Sequence, residues 1–260
     1  MNTNPKLTVI ELRNYLLKPG TRERFIKYFG DHFLESQNGA RVLAPFRIKG
    51  ESDRFFWIRG FEDMQSRLAF LRGFYEQGEV WKRFGPDANE MMLDSDHVHL
   101  LKPLSASFEW NELEKEAGVV VIDFYTAKAN QLDQLITSFE TNYLSCLKNR
   151  PTLLISEMAN NDFPRLPVIQ DPNLLVVISS YADESEYQLQ SELCLESKNR
   201  TQQFIADESK LILQRPSTSP RSAMAGQSYC EAQSVQTNDQ QAHRSFQDRH
   251  ATVLSQHRSK

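Results

Sequence analysis

Residues 55–104 read FFWIRGFEDMQSRLAFLRGFYEQGE followed by VWKRFGPDANEMMLDSDHVHLLKPL, and the order of patterns in that run decides the fold. Arg54–Phe61 alternates like a strand. Asp63 then stands where a helix cap belongs, and Met64, Leu68, Leu71 and Tyr75 recur at helical spacing. Gly78 and then Gly85-Pro86 interrupt that helix, so Asp87–Met92 reads as a short restart, with Pro suited to a first turn. Val98–Leu101 closes as another strand.

Working back toward the N-terminus, Leu7–Leu17 alternates as a strand. Ile10, Leu12, Asn14 and Leu16 lie on one side; Val9, Glu11, Arg13, Tyr15 and Leu17 lie on the other. Lys18-Pro19-Gly20 is a turn, and Thr21–Ser36 an amphipathic helix carrying Phe25, Ile26, Phe29 and Phe33, stopped by Asn38-Gly39. Arg41–Lys49 is a second strand in which Pro45 signals an edge or a bulge. The order is βαββαβ, a ferredoxin-like unit.

Working forward, the order repeats after a charged connector. Val119–Tyr125 is a strand, and Leu132, Leu135, Ile136, Phe139 and Tyr143 mark a helix. Pro151–Met158 and Leu174–Tyr181 are strands on either side of a Pro- and Asn-rich loop. Asp183 opens a helix with Glu186 three residues on, as in a capping box, and Leu211–Leu213 closes the unit. Aligned copies bring Tyr15 to Tyr125, Phe61 to Tyr181 and Asp63 to Asp183. The expected organisation is a unit over residues 1–104, a connector over 105–117, a degenerate second unit over 118–216 and a disordered tail over 217–260. The tail is expected to be disordered because its Ser-, Gln- and His-rich composition buries too little apolar surface to offset ordering entropy. Its His243, His250 and His257 fall seven apart, a metal stripe only if the segment folds.

The fold class expected is α+β: two tandem ferredoxin-like units whose bare sheet faces cover each other and close into a barrel. The side opposite the helices then becomes an interior. On this reading it holds Glu11, Arg13 and Tyr15 from the first strand, and Phe55, Trp57, Arg59 and Phe61 from the third. The second copy adds Val121, Asp123 and Tyr125. Four charges among aromatic rings must pair, reach water or meet a ligand. One reading is a satisfied internal network, with Arg13 and Asp123 as pseudo-symmetric partners. The other is a pocket for a small hydrophobic, oxygenated molecule, in which Arg13 and Arg59 hold a developing oxyanion and Tyr15 or His32 carries a proton. Catalytic candidates are thus Arg59, His32 and Tyr15. A filled salt-bridge scaffold whose tail or helix surface makes the contacts is the non-catalytic alternative.

The remaining features exclude more than they suggest. A net charge of -4 over 260 residues, with no basic stripe, gives no reason to expect nucleic acid. No dinucleotide, P-loop or nucleophile-elbow motif occurs, so no cofactor is expected. His97 and His99 stand at i, i+2 but lack an evident third ligand, so no metal is expected either. Cys146, Cys194 and Cys230 are odd in number and scattered, indicating neither a zinc site nor a disulfide framework. With no leader pattern and no apolar run of about 20 residues, the expectation is a cytoplasmic protein without a membrane span. An internally paired monomer that can dimerise further is the expected assembly.

The motifs resemble a known family. HFLESQ (32–37), FxWxRGF (55–61), DMxxR (63–67), FY (74–75), VWK (80–82), AN (88–89) and DSDxVxLLKP (94–103), with ELRxY (11–15) before a KPG turn, are similar to bacterial NIPSNAP-domain proteins of the dimeric α/β-barrel superfamily. The resemblance covers residues 6–104 and implies that barrel architecture. The superfamily's activities range from cofactor-independent monooxygenases to proteins without chemistry, so it does not fix a reaction. In the second copy Ser179 and Tyr187 meet Arg59 and Arg67, so any site inherited from the family is expected to be single and asymmetric.

Overall fold

The computed structural model describes residues 6–37, 40–105, 108 and 118–215, all within the compact unit Met1–Ser217. The tail, its histidines, Cys230, most of the connector and the Asn38-Gly39 helix stop lie outside the described residues.

The first half runs β1 (Val9–Leu17), α1 (Arg22–His32), β2 (Arg41–Ile48), β3 (Arg54–Phe61), α2 (Met64–Arg72), α3 (Glu79–Met91), β4 (Met92–Asp94) and β5 (Val98–Pro103). The second runs β6 (Val119–Ala127), α4 (Leu132–Ser138), β7 (Thr152–Ser156), β8 (Leu174–Tyr181), α5 (Glu184–Leu193), α6 (Leu195–Asn199) and β9 (Ile205–Gln214). Both halves have the ferredoxin-like strand order, β2-β3-β1-β5 and β9-β6-β8-β7. They join twice, β2 to β9 and β5 to β7, so eight antiparallel strands close into a barrel with β4 added beside β1. The expected architecture holds.

Local chemistry explains most of the boundaries. Gly20 takes φ +74° to turn the chain into α1. Asp63 accepts from the backbone N–H of Ser66 at 2.7 Å while Ser66 Oγ accepts from the Asp63 N–H at 3.0 Å, a reciprocal cap on α2. Asp183 caps α5 likewise through Glu186 N, but the Glu186 carboxylate reaches one residue further back, to Ala182 N. Pro45 marks a bulge, where the β2–β3 register shifts between Leu43 and Pro45.

Three local expectations are corrected. Gly85-Pro86 does not break α3, which runs unbroken over Glu79–Met91. Its buried Ala88 and Met91 hold the helix down, and the missing Cβ of Gly85 makes room for the Trp81 indole, 2.8 Å from where that atom would lie. A lost backbone bond at Pro86 is outweighed by that packing. Next, β9 is far longer than Leu211–Leu213. Its leading ADESK is exposed, because only β6 pairs it there and β2 reaches just its last two residues. Finally, Cys146 and Cys194 form a disulfide, with Cα atoms 5.6 Å apart and a sequence separation of 48. It ties the segment after α4 to the cap of α6, a pairing that scattered cysteines do not advertise.

The barrel interior is aliphatic and aromatic. Ile10, Leu12, Phe46, Phe56, Ile58 and Leu101 meet Val120, Ile122, Phe124, Leu154, Val176 and Ile178 from the other half. The alternation within each strand is as expected, but the faces are the other way round. Glu11, Arg13, Tyr15, Phe55, Trp57, Arg59 and Phe61 look outward, under the first half's helices. Val121, Asp123 and Tyr125 look outward under the second's. Two causes fix this. The middle of the eight-stranded barrel is filled by apolar side chains from both halves. And a further partner of Glu11, Arg67 of α2, comes from the helical layer.

Candidate functional site

Cross-strand register assembles the site. Glu11 on β1 stands opposite Arg59 on β3, Arg13 opposite Trp57, and Tyr15 opposite Phe55. Glu11 accepts from Arg13 Nη1 at 2.7 Å, from Arg59 Nη2 at 2.6 Å and Nε at 3.0 Å, and from Arg67 Nε at 2.7 Å. All four side chains are buried. Three guanidiniums therefore surround one carboxylate. Burial alone would raise the Glu11 pKa, but Arg59, Arg13 and Arg67 outweigh it and hold the carboxyl far below its usual range. Arg67 also reaches Asn161 Oδ1 at 3.2 Å and, at 3.7 Å, the partly exposed Asp162. Arg59 Nη1 donates to Gln37 Oε1 at 3.4 Å.

Beside this cluster lies a cavity of about 220 Å³ between the sheet and the helices. Arg13, Tyr15 and Trp57 form its sheet wall, Phe29, Phe33, Phe74 and Trp81 its helical wall. The Arg13 Nε donates to the Tyr15 hydroxyl at 2.8 Å, and the guanidinium lies 5.4 Å from the Trp57 ring. Burial pushes the Tyr15 hydroxyl's pKa up, so it stays neutral. The buried Trp57 Nε1 and Arg67 Nη2 have no acceptor among the described residues.

The second half supplies the cover. Phe163, Arg165 and Leu166, from the loop between β7 and β8, close the cavity from outside. Asn161 pins that loop, accepting from Arg67 and donating to Leu166 O at 2.8 Å. The corresponding β2–β3 connection of the first half is a five-residue turn, Lys49–Asp53, too short to cover the second half in return.

The sequence-predicted residues thus divide. Glu11, Arg13, Tyr15, Phe55, Trp57 and Arg59 come together, but only Arg13, Tyr15 and Trp57 reach the cavity. Arg59 sits behind them, fully buried on Glu11. His32 is not on the cavity wall; it stacks on Phe84 at 4.0 Å, outside it. Asp123 and Tyr125 belong to the other half's helical layer, so Asp123 does not pair with Arg13. Its oxygen lies 3.4 Å from Lys210 Nζ, which donates to Tyr187 at 2.6 Å, and burial raises its pKa. Sequence reading named Arg67 only through the family motif DMxxR and left it out of the site, and it missed Phe163 and Arg165, which lie in an irregular loop.

Residues 10–108 match the NIPSNAP family model. No curated protein matches the sequence. Among solved structures, a candidate monooxygenase from Fusobacterium nucleatum subsp. nucleatum ATCC 25586 superposes with a TM-score of 0.58 at 8% identity, over 80% of this chain and 92% of that one. A candidate monooxygenase from Lactobacillus acidophilus NCFM gives 0.56 at 12%, over 80% and 93%. An anthrone oxidase-like protein gives 0.55 at 10%, over 81% and 91%. At such identities the likeness is one of fold. Residues 10–108 thus resemble the NIPSNAP family, and the chain as a whole has the α/β-barrel fold of these three structures.

Proposed function

We propose that the cavity beneath the first half's helices binds a small aromatic molecule through an anionic oxygen, a carboxylate, phenolate or enolate, held by Arg13. The charge count carries this reading: three buried guanidiniums share a single buried carboxylate. Excess buried positive charge is costly unless an anion joins it. Aromatic walls suit a planar body, and the unmatched Trp57 N–H and the Tyr15 hydroxyl are donors for the same oxygen.

The lining favours binding an existing anion over making one. Tyr15 is held neutral, and Glu11 is committed to three arginines, so no strong base among the described residues faces the cavity. A cofactor-independent oxygenase role is therefore restricted to substrates whose acidic proton leaves readily once Arg13 stabilises the anion. In such a cycle the anion reduces O2; one oxygen atom replaces two hydrogens on carbon as a carbonyl, and the other leaves as water.

Titration by tryptophan fluorescence tests the reading, since Trp57 and Trp81 line the cavity. Benzoate is expected to bind roughly tenfold or more tightly than isosteric, uncharged benzamide. In Arg13→Gln that preference should vanish, while the fold survives because Glu11 keeps its bonds from Arg59 and Arg67. Equal affinity for the two probes in the wild-type protein would overturn the proposal.

A further inference from the structure

A second cavity, of about 260 Å³, opens at one end of the barrel itself. Its floor is apolar, formed by Leu12 and Phe56 of the first half and Phe124, Leu174 and Leu211 of the second. Its rim is polar: Asn14, His97, His99, Thr126, Asp171 and Ser209. Both halves thus contribute to a space that neither forms alone, on the opposite side of the β1–β3 sheet from the aromatic cavity.

His99 distinguishes this end of the barrel. It follows outward-facing Val98 on β5 and stands beside Leu12 in the β1–β5 register, so its ring lies on the barrel's inner wall, 5.1 Å from that of Phe124. Its Nδ1 is buried and finds no hydrogen-bond partner among the described residues. An imidazole left this way loses the net benefit of a hydrogen bond and bears a desolvation cost, which a ligand donor would remove. Burial, with His97 nearby, lowers its pKa to about 4, against a smaller opposing pull from Asp171. At neutral pH the His99 ring is uncharged, and Asp171 brings a carboxyl group to the same rim. Asp171 is itself fixed in place, its Oδ1 accepting from Asn173 N at 2.8 Å and its own N–H donating to Ser156 Oγ at 3.0 Å.

We infer that the barrel mouth is a second small-molecule site, one that takes a compact apolar body bearing an amine or hydroxyl donor, with the donor directed at His99 and Asp171. Its preference is the reverse of the aromatic cavity's. There arginines select an anion; here an imidazole acceptor and a carboxylate select a hydrogen-bond donor, and a cation above a neutral one. The size fits a single ring with a short substituent, for which millimolar to sub-millimolar affinity is the reasonable scale.

The test uses benzylamine, benzyl alcohol and benzoate on the full chain, followed by the histidine ring signals in carbon–proton NMR spectra. The His99 resonance is assigned by its absence in His99→Phe. Benzylamine and benzyl alcohol should shift that signal in saturable fashion without changing tryptophan fluorescence, because no tryptophan among the described residues lines this cavity; benzoate should do the opposite. Asp171→Asn keeps the oxygen that caps Asn173, and should weaken benzylamine about tenfold while changing benzyl alcohol little. His99→Phe should weaken both probes. An unmoved His99 signal in the wild-type protein overturns the inference, as does an unchanged benzylamine affinity in Asp171→Asn. Neither result bears on the arginine cavity, which benzoate reports separately.

Discussion

Glu11 is the residue on which the first half's polar chemistry turns, since Arg13, Arg59 and Arg67 all end on its two oxygens. Replacing it with Gln leaves the buried Arg13 and Arg59 without an anion and Arg67 with only the more distant Asp162, so Glu11→Gln should cost about 3–5 kcal/mol in chemical denaturation. Arg59→Ala should cost a comparable amount, because Arg59 is a partner of Glu11 and not a cavity wall. The same carboxyl sets the acid limit. Its folded pKa lies below the ordinary 4.5, so its stabilisation is complete above that pH and is lost as pH falls further. Glu11, Arg13 and Arg59 were readable as a set from strand alternation alone. Which face they occupy was not, because both faces of β1 and β3 are apolar enough to be cores. Only the position of Arg67, on a helix, decides between them.

At the scale of elements, the β7–β8 loop and the disulfide give the second half its distinct roles. Phe163 is buried in the first half's aromatic cluster and Asn161 ties the loop to Arg67. Phe163→Ala should therefore loosen the cover, raising benzoate's dissociation rate several-fold in stopped-flow fluorescence while leaving its association rate nearly unchanged. Reduction of Cys146–Cys194 should destabilise the chain by about 2–4 kcal/mol in denaturation, yet leave benzoate affinity intact, since neither cysteine approaches the cavity. Helix caps at Asp63 and Asp183 and the bulge at Pro45 were legible because each acts through its nearest neighbours. The exposed start of β9 and the loop that covers the cavity were not, because their placement depends on pairing and packing across more than 50 residues of sequence.

For the whole molecule, closing two units into one barrel makes two unlike cavities, one under the helices of a single half and one shared at the mouth. The shared one leaves a pH signature. His99 titrates near 4 when folded and near 6.5 when free, so the unfolded chain takes up its proton first, and stability should fall as pH drops from about 6.5 to 4. The loss is at most about 3 kcal/mol, and His99→Phe should flatten that part of the curve; His97 and Asp171 are the titratable groups facing the ring. The aromatic cavity is tested most directly by a crystal structure of the protein soaked in benzoate. Density for the carboxylate within hydrogen-bonding distance of Arg13, with its ring between Trp57 and the helices, is the predicted result. Benzoate seated in the barrel mouth, or density showing Arg13 turned away from an empty cavity, would contradict the account.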